Sequence, residues 1–254
     1  MSPLPLSLPP ERSFRYLDMV MAVFVTLLVV SNVASSAKIV DLGFSLFGIF
    51  GIPPVPMAFD GGTLLFPISY IVGDILTEVY GFRASRRVIR IGFGALILAS
   101  LVFLLLRVLP GEAEWEAYAG SAAYNAILGG MSSGGIVLAS LLGYWVGALS
   151  NAIILSRLKV IMKGRFLWVR TIGSTLVGEL ADSFIFVLIA SATGVFGWEL
   201  FVSLVLTNYL LKCLIEVLMT PLTYLVVRKL KKAEGIDIYD IGIRFNPFAG
   251  ERAS

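Results

Sequence analysis

Three sets of polar side chains stand at helical spacing inside stretches that are otherwise apolar. Asp74 and Glu78 are four residues apart, and Glu179 and Asp182 three apart, so each pair shares one helix face. Asn208, Lys212 and Glu216 follow at four-residue steps and make a continuous stripe, while Ser174 and Gly178 lead a small polar row up to Asp182. Carboxylates so placed accept hydrogen bonds from adjacent N–H donors, as on the edge of a guanine-like base, and hold ammonium groups. Tyr70, Phe184, Phe186 and Tyr209 lie near the same stripes and could stack on a planar ring. The chemistry on offer is recognition of a polar or cationic small molecule, a planar heterocycle among the candidates.

The elements that carry these residues belong to a membrane. Of 254 residues, 57% are hydrophobic and 15% charged, against about 25% charged in soluble domains, and the mean hydropathy is +0.89. That balance excludes a soluble globular domain, a disordered chain, collagen and a disulfide scaffold. A single cysteine, Cys213, forbids an internal disulfide, and the absence of histidine removes the commonest general base and metal ligand. A hydrocarbon core of about 30 Å needs roughly 20 helical residues. Six stretches supply them: Leu17–Ile39, Thr63–Val79, Val88–Leu109, Ile136–Leu155, Thr171–Thr193 and Leu200–Val227. None alternates with period two, so the expected fold class is all-α, a six-transmembrane-helix bundle. The second stretch is interrupted by Pro67, Gly73, Asp74, Thr77 and Glu78, and a re-entrant segment is its alternative. The linker before it, Asp41–Gly62, holds Pro53, Pro54 and Pro56 and is expected to be a partly buried loop or a short interfacial helix.

Charge sets the orientation. Seventeen of the twenty Lys and Arg fall in the N-terminus, the loops after the second and fourth stretches, and the C-terminus, leaving only Lys38, Arg107 and Lys212 elsewhere. Both termini are therefore expected in the cytoplasm. The divisions that follow are a Pro-rich disordered tail over 1–15, a six-span transporter domain over 16–230 and a cytoplasmic tail over 231–254. A net charge of +3 spread over four cytoplasmic segments suits anionic lipid head groups rather than nucleic acid.

An ionisable group in mid-bilayer costs about 2.5–3.5 kcal/mol even on lenient scales, so it needs a partner, water or a proton. Lys212 and Glu216 can pair along their own helix; the other carboxylates then exceed the cations, with Arg170 and Lys38 near the two faces available to neutralise some. The expectation is that the stripes face one shared central cavity; the plainer alternative is that they sit at interfaces or satisfy one another. Gly135, Ala139, Gly143, Gly147 and Asn151 recur every fourth position, a row that lets a second helix approach closely. That helix belongs to the same bundle or to a second protomer, which would make a homodimer. Ser31 and Ser35, with Asn32 beside them, form a shorter version.

Gly73-Asp74-Ile75-Leu76-Thr77-Glu78-Val79-Tyr80-Gly81-Phe82-Arg83 resembles the signature of the queuosine precursor transporter family, also called the vitamin uptake transporter group. Ser31-Asn32-Val33-Ala34-Ser35 with Lys38, the block Gly178-Glu179-Leu180-Ala181-Asp182-Ser183, and Lys212 with Glu216 and Pro221 are similar to further family motifs. The resemblance runs over most of residues 31–230. It implies six spans, a cytoplasmic (inner) membrane location, and uptake of 7-deazaguanine precursors: 7-cyano-7-deazaguanine, 7-aminomethyl-7-deazaguanine or queuine. On that expectation Glu179, Asp182 or Glu78 grips the N1–H and exocyclic amine edge and Asn32 or Asn208 serves the carbonyl. The wider substrate-binding set is Asn32, Asp74, Glu78, Arg170, Glu179, Asp182, Asn208, Lys212 and Glu216. No metal or cofactor is expected. The alternative is the substrate-binding subunit of an energy-coupling-factor importer, which needs separate ATPases, since this chain has no phosphate-binding loop. An intramembrane enzyme is disfavoured: there is no histidine, and nothing around Cys213 suits a nucleophile.

Overall fold

The computed structural model describes residues 14–46, 55–132 and 135–241. Helix α1 (Leu17–Ala37) leads into an antiparallel hairpin, β1 (Ile39–Leu46) with β2 (Val55–Asp60). A 3-10 turn, Gly61–Leu64, precedes α2 (Phe66–Val108), followed by the short α3 (Ala113–Tyr118), α4 (Gly120–Ser132), α5 (Gly135–Ile161), α6 (Leu167–Ala192) and α7 (Phe201–Glu234). Among the described residues five helical runs are long and apolar enough to cross a membrane: Leu17–Ala37, Phe66–Val108, Gly120–Ile161, Leu167–Ala192 and Trp198–Glu234. Leu98, Leu101, Leu105, Leu214 and Leu218 point outward from them, as suits lipid contact.

The 43-residue α2 is not one rod. Gly81 takes φ 81° and ψ 171°, a conformation that is essentially glycine's alone. In a continuous helix Thr77 and Ser85 would be about 12 Å apart along the axis, yet Thr77 Oγ1 lies 2.9 Å from Ser85 Oγ. The Phe24 ring likewise comes within 3.8 Å of where a Cβ would stand at both Gly73 and Gly92. The chain therefore doubles back at Gly81, and the arms 66–80 and 82–108 lie side by side against α1.

The linker departs from expectation. Residues 39–46 and 55–60 pair as strands, with Ile39 opposite Asp60, Val40 opposite Phe59 and Leu46 opposite Val55, where a loop or an interfacial helix was expected over Asp41–Gly62. The β-branched and aromatic residues Ile39, Val40, Val55 and Phe59 favour extended backbone, and Met57 and Phe59 are buried. Thr207 on α7 bonds to Met57 Sδ at 3.4 Å and Ser203 to the Pro56 carbonyl, which pins β2 to α7. Part of the Pro-rich loop, 47–54, lies outside the described residues.

The small-residue row of α5 is used within the chain. A Cβ at Gly147 would strike the Tyr70 hydroxyl, Asp182 Cβ (2.7 Å) and the Gly178 carbonyl (2.8 Å), and one at Gly143 would meet Asp182 and Phe186. Without side chains there, α5 and α6 approach to backbone contact, the close packing that association in lipid depends on.

Candidate functional site

Polar residues occupy three levels along the bundle, and the levels differ in how completely they are satisfied. At the end covered by the hairpin, Asp60 accepts from Ser35 Oγ, Gly62 N (3.1 Å), Thr63 Oγ1 (3.0 Å) and Asn208 Nδ2 (2.9 Å). Thr63 also reaches Asn208 Oδ1 at 2.9 Å. Asn208 is thus committed to Asp60, a residue outside the predicted set. Its signal in the sequence is the Asp-Gly-Gly-Thr string, a capping residue before a turn. Asn32, fully buried on α1, donates from Nδ2 to the Leu28 carbonyl at 2.8 Å, and its Oδ1 has no partner.

The opposite end is closed by ions. Glu78 is 1% exposed and receives both guanidinium nitrogens of Arg170, itself the bulkiest of the fully buried side chains. Lys231 Nζ lies 2.6 Å from Glu78 Oε1 and Lys159 Nζ 3.6 Å from it. Asp237, just beyond α7, then bridges the two lysines at 2.7 and 2.8 Å. Burial alone would raise the Asp237 carboxyl, but the bonds and charges of Lys159 and Lys231 hold it below the ordinary carboxylate value. The same stretch continues over the bundle end. Ile238 O accepts from Lys159 at 2.6 Å, Asp240 accepts from Phe82 N (2.8 Å) and Ser156 Oγ (2.6 Å), and the Tyr239 ring covers Lys159. Glu78 and Arg170 therefore stand together, apart from the other predicted residues. Lys159, Lys231 and Asp237 were missed because on sequence they read as ordinary cytoplasmic-loop and tail charges.

Between these ends lie Asp74, Glu179, Asp182, Lys212 and Glu216, all nearly or wholly buried. Lys212 Nζ is 2.6 Å from Asp182 Oδ2 and 3.0 Å from Glu179 Oε2. The second contact is an ion pair on Oε2, and Glu179 Oε1 has no hydrogen-bond donor among the described residues. Lys212 does not pair with Glu216 as expected. Lys before Glu at i, i+4 is the weaker orientation on a helix, and two carboxylates on α6 offer a stronger field. Glu216, 1% exposed, keeps both oxygens unpartnered. Asp74 accepts from Asn151 Nδ2 at 2.5 Å and leaves Oδ2 unpartnered. Asn151, not singled out as a site residue, was visible as the polar end of the α5 row.

A cleft opens beside this level, lined by Phe24, Ser69, Tyr70, Tyr144, Asn151 and Ser85 among others. It is so narrow that only a water-sized occupant fits without side-chain movement. Its walls are predominantly apolar, with the Phe24, Tyr70 and Tyr144 rings, Ile89, Ala148 and Ala152 among them, and Asp74 is joined to it through Asn151. The hydroxyls of Tyr70 and Tyr144 are buried without partners. Of the aromatic residues expected to stack, Tyr70 lines the cleft, Phe184 faces outward against Phe201, and Phe186 packs on Phe196. Phe24 and Tyr144 join Tyr70 instead. Buried polar atoms are normally satisfied, so the unpartnered acceptors and hydroxyls at this level are a place where a donor-rich ligand gains hydrogen bonds.

A protein-family model described as "Putative vitamin uptake transporter" matches residues 60–226. The chain is 27% identical over 164 residues to the "Probable queuosine precursor transporter" of Bacillus subtilis (strain 168), covering 64% of this chain and 69% of that one. It is 27% identical over 168 residues to the protein of the same name from Haemophilus influenzae (strain ATCC 51907 / DSM 11121 / KW20 / Rd), covering 65% and 67%. With the "Queuosine precursor transporter" of Escherichia coli (strain K12) it shares 25% over 158 residues, covering 61% and 66%. No solved structure matches it.

Proposed function

The chain belongs to the vitamin uptake transporter family, and on that premise we propose that it imports queuosine precursors, 7-deazaguanine bases such as 7-cyano-7-deazaguanine, 7-aminomethyl-7-deazaguanine or queuine. It is a multi-pass protein of the inner membrane and a transporter rather than an enzyme. In this reading residues 16–230 are the transporter domain. On the same reading, the two arms of α2 on either side of Gly81 would each cross the membrane, giving six crossings, and residues 1–15 and 231–254 would both face the cytoplasm, a reading that the positive-inside bias supports.

The observation that carries the proposal is the pair of buried oxygens without a partner among the described residues, Asp74 Oδ2 and Glu179 Oε1, at the level where an aromatic cleft opens. A 7-deazaguanine presents N1–H and its exocyclic amine side by side, a pair of donors that one carboxylate accepts together. Glu179 takes that edge, Asp182 shares the charge of Lys212, and Tyr70 with Tyr144 holds the ring face. An aminomethyl group would add a cation for Asp74. Because the cleft is narrower than a base, binding requires Tyr70 or Tyr144 to move.

Uptake by a precursor-auxotrophic cell tests this. A hydrogen bond to a charged group contributes about 1.5–3 kcal/mol, so Glu179→Gln and Asp182→Asn should each lower uptake by tenfold or more at limiting precursor. Normal uptake by both variants overturns the assignment.

A further inference from the structure

We infer that Glu216 is a proton-carrying site and that uptake is coupled to proton entry, an inference that rests on the transport reading above and adds its driving ion. Glu216 lies in mid-helix on α7, is 1% exposed, and finds no donor for either oxygen. The charged and titratable groups around it are Asp74 on α2, Glu179 on α6, and Lys212 and Cys213 on its own helix. Lys212 is committed to Glu179 and Asp182. Asp74 has only the neutral Asn151. Further out, Asp60 on β2 is bound to Asn208, and further in, Glu78 is held by Arg170 and Lys231.

Glu216 therefore has acidic neighbours and, among the described residues, no cation of its own. An isolated ionised carboxylate in a dry interior costs far more than a fold can carry, and such a group neutralises instead. Asp74 and Glu216 repel one another when both are ionised. A proton is the occupant that neutralises such a carboxylate without calling for further ligands. The site then works as an alternation. With the bundle as described, Glu216 holds a proton taken up from the outside; when the inner end opens and water reaches it, the proton passes to that water and leaves inward, and Glu216 is ionised only while hydrated. Glu216 and the edge-binding carboxylate Glu179 are close enough to interact, so loading one site changes the electrostatic cost of loading the other.

The test uses the purified full-length chain in proteoliposomes with labelled 7-cyano-7-deazaguanine. One proton per base allows about tenfold accumulation for each pH unit of imposed inward gradient, abolished by a protonophore and not reproduced by a sodium gradient. Infrared spectra should show the carbonyl band of a buried protonated carboxylic acid, and Glu216→Gln should lose both that band and the gradient-driven accumulation. Accumulation indifferent to the proton gradient, accumulation driven by sodium instead, or a band and gradient response retained by Glu216→Gln would each overturn the inference. The wild-type gradient measurement decides even where the variant does not fold. A wild-type chain that fails to pass the labelled base down its own gradient refutes the substrate reading instead, while the infrared band, which needs no substrate, still decides whether Glu216 holds a proton.

Discussion

The cluster around Glu78 should be the most fragile polar contact in the molecule, and its fragility should be lopsided. Glu78 and Arg170 side chains are each 1% exposed, so solvent does not screen their attraction and neither can stand alone cheaply. Glu78→Gln leaves Arg170 without its carboxylate partner, facing only neutral carbonyls: the new amide's and those of Gly164 and Arg165. Removing one member of a buried pair costs about 3–5 kcal/mol, chiefly the penalty of the charge left behind. Asp237 differs: its side chain is 45% exposed, its two lysines retain Glu78, and exposed pairs contribute about 0–1 kcal/mol. Globular domains of comparable size shift by roughly 2–4 °C per kcal/mol. Glu78→Gln should therefore lower the midpoint of tryptophan-monitored unfolding in detergent by about 6–20 °C, and Asp237→Asn by no more than about 4 °C. Glu78→Gln combined with Arg170→Met removes both charges, and the pair should lose much less than the sum of the single variants. Equal losses for Glu78→Gln and Asp237→Asn, or additive losses in the double variant, would refute the reasoning.

Gly81→Ala should cost about 1–3 kcal/mol, since the backbone there is closed to L side chains and the new Cβ would lie 2.9 Å from Ile238; faster proteolysis of the C-terminal segment would report it. Gly147→Leu forces α5 from α6 against backbone, so a loss of at least about 1–3 kcal/mol in the unfolding midpoint is expected, whereas Gly94→Ala, with open space around its Cβ, should be nearly neutral. Asp237 has a depressed carboxyl value, so its contribution is present above the ordinary value of about 3.9 and lost as pH falls through the lower folded value. The midpoint difference between wild type and Asp237→Asn should stay flat from about pH 5 to 8 and shrink only below about pH 4; a difference that vanishes near neutrality would contradict the bridge.

What could be read from sequence followed the solvent. Asp74, Glu179, Asp182, Lys212 and Glu216 announce themselves because lipid makes an ionisable residue in an apolar run costly, and their spacing of three and four turns them inward. The Gly143–Gly147–Asn151 row was legible for a similar reason, and its partner turned out to be α6 of the same chain. What escaped was pairing between distant segments. Nothing local tells Lys159 or Lys231 apart from lysines that touch head groups, and nothing local sends Lys212 across to α6 rather than along α7 to Glu216. The hairpin escaped because three prolines near its tip read as a loop, while the strands on either side are too short for their alternation to stand out.

The same residue types are treated in two ways along this bundle, and the contrast argues against a purely structural role for the middle. Asp60 has four donors and Glu78 three cations, so the fold is able to satisfy a buried carboxylate when stability is the only demand. One lysine serves Glu179 and Asp182, a single amide serves Asp74, and Glu216 has nothing. A chain selected only to fold would remove these groups, since apolar replacements of like volume are neutral or stabilising in such places. Keeping them makes sense if their missing partners arrive from outside: donors on a ligand for Asp74 and Glu179, a proton for Glu216. On the proposed reading the two saturated ends would have a complementary part, holding both mouths of the bundle closed around a middle whose bonding cargo would complete.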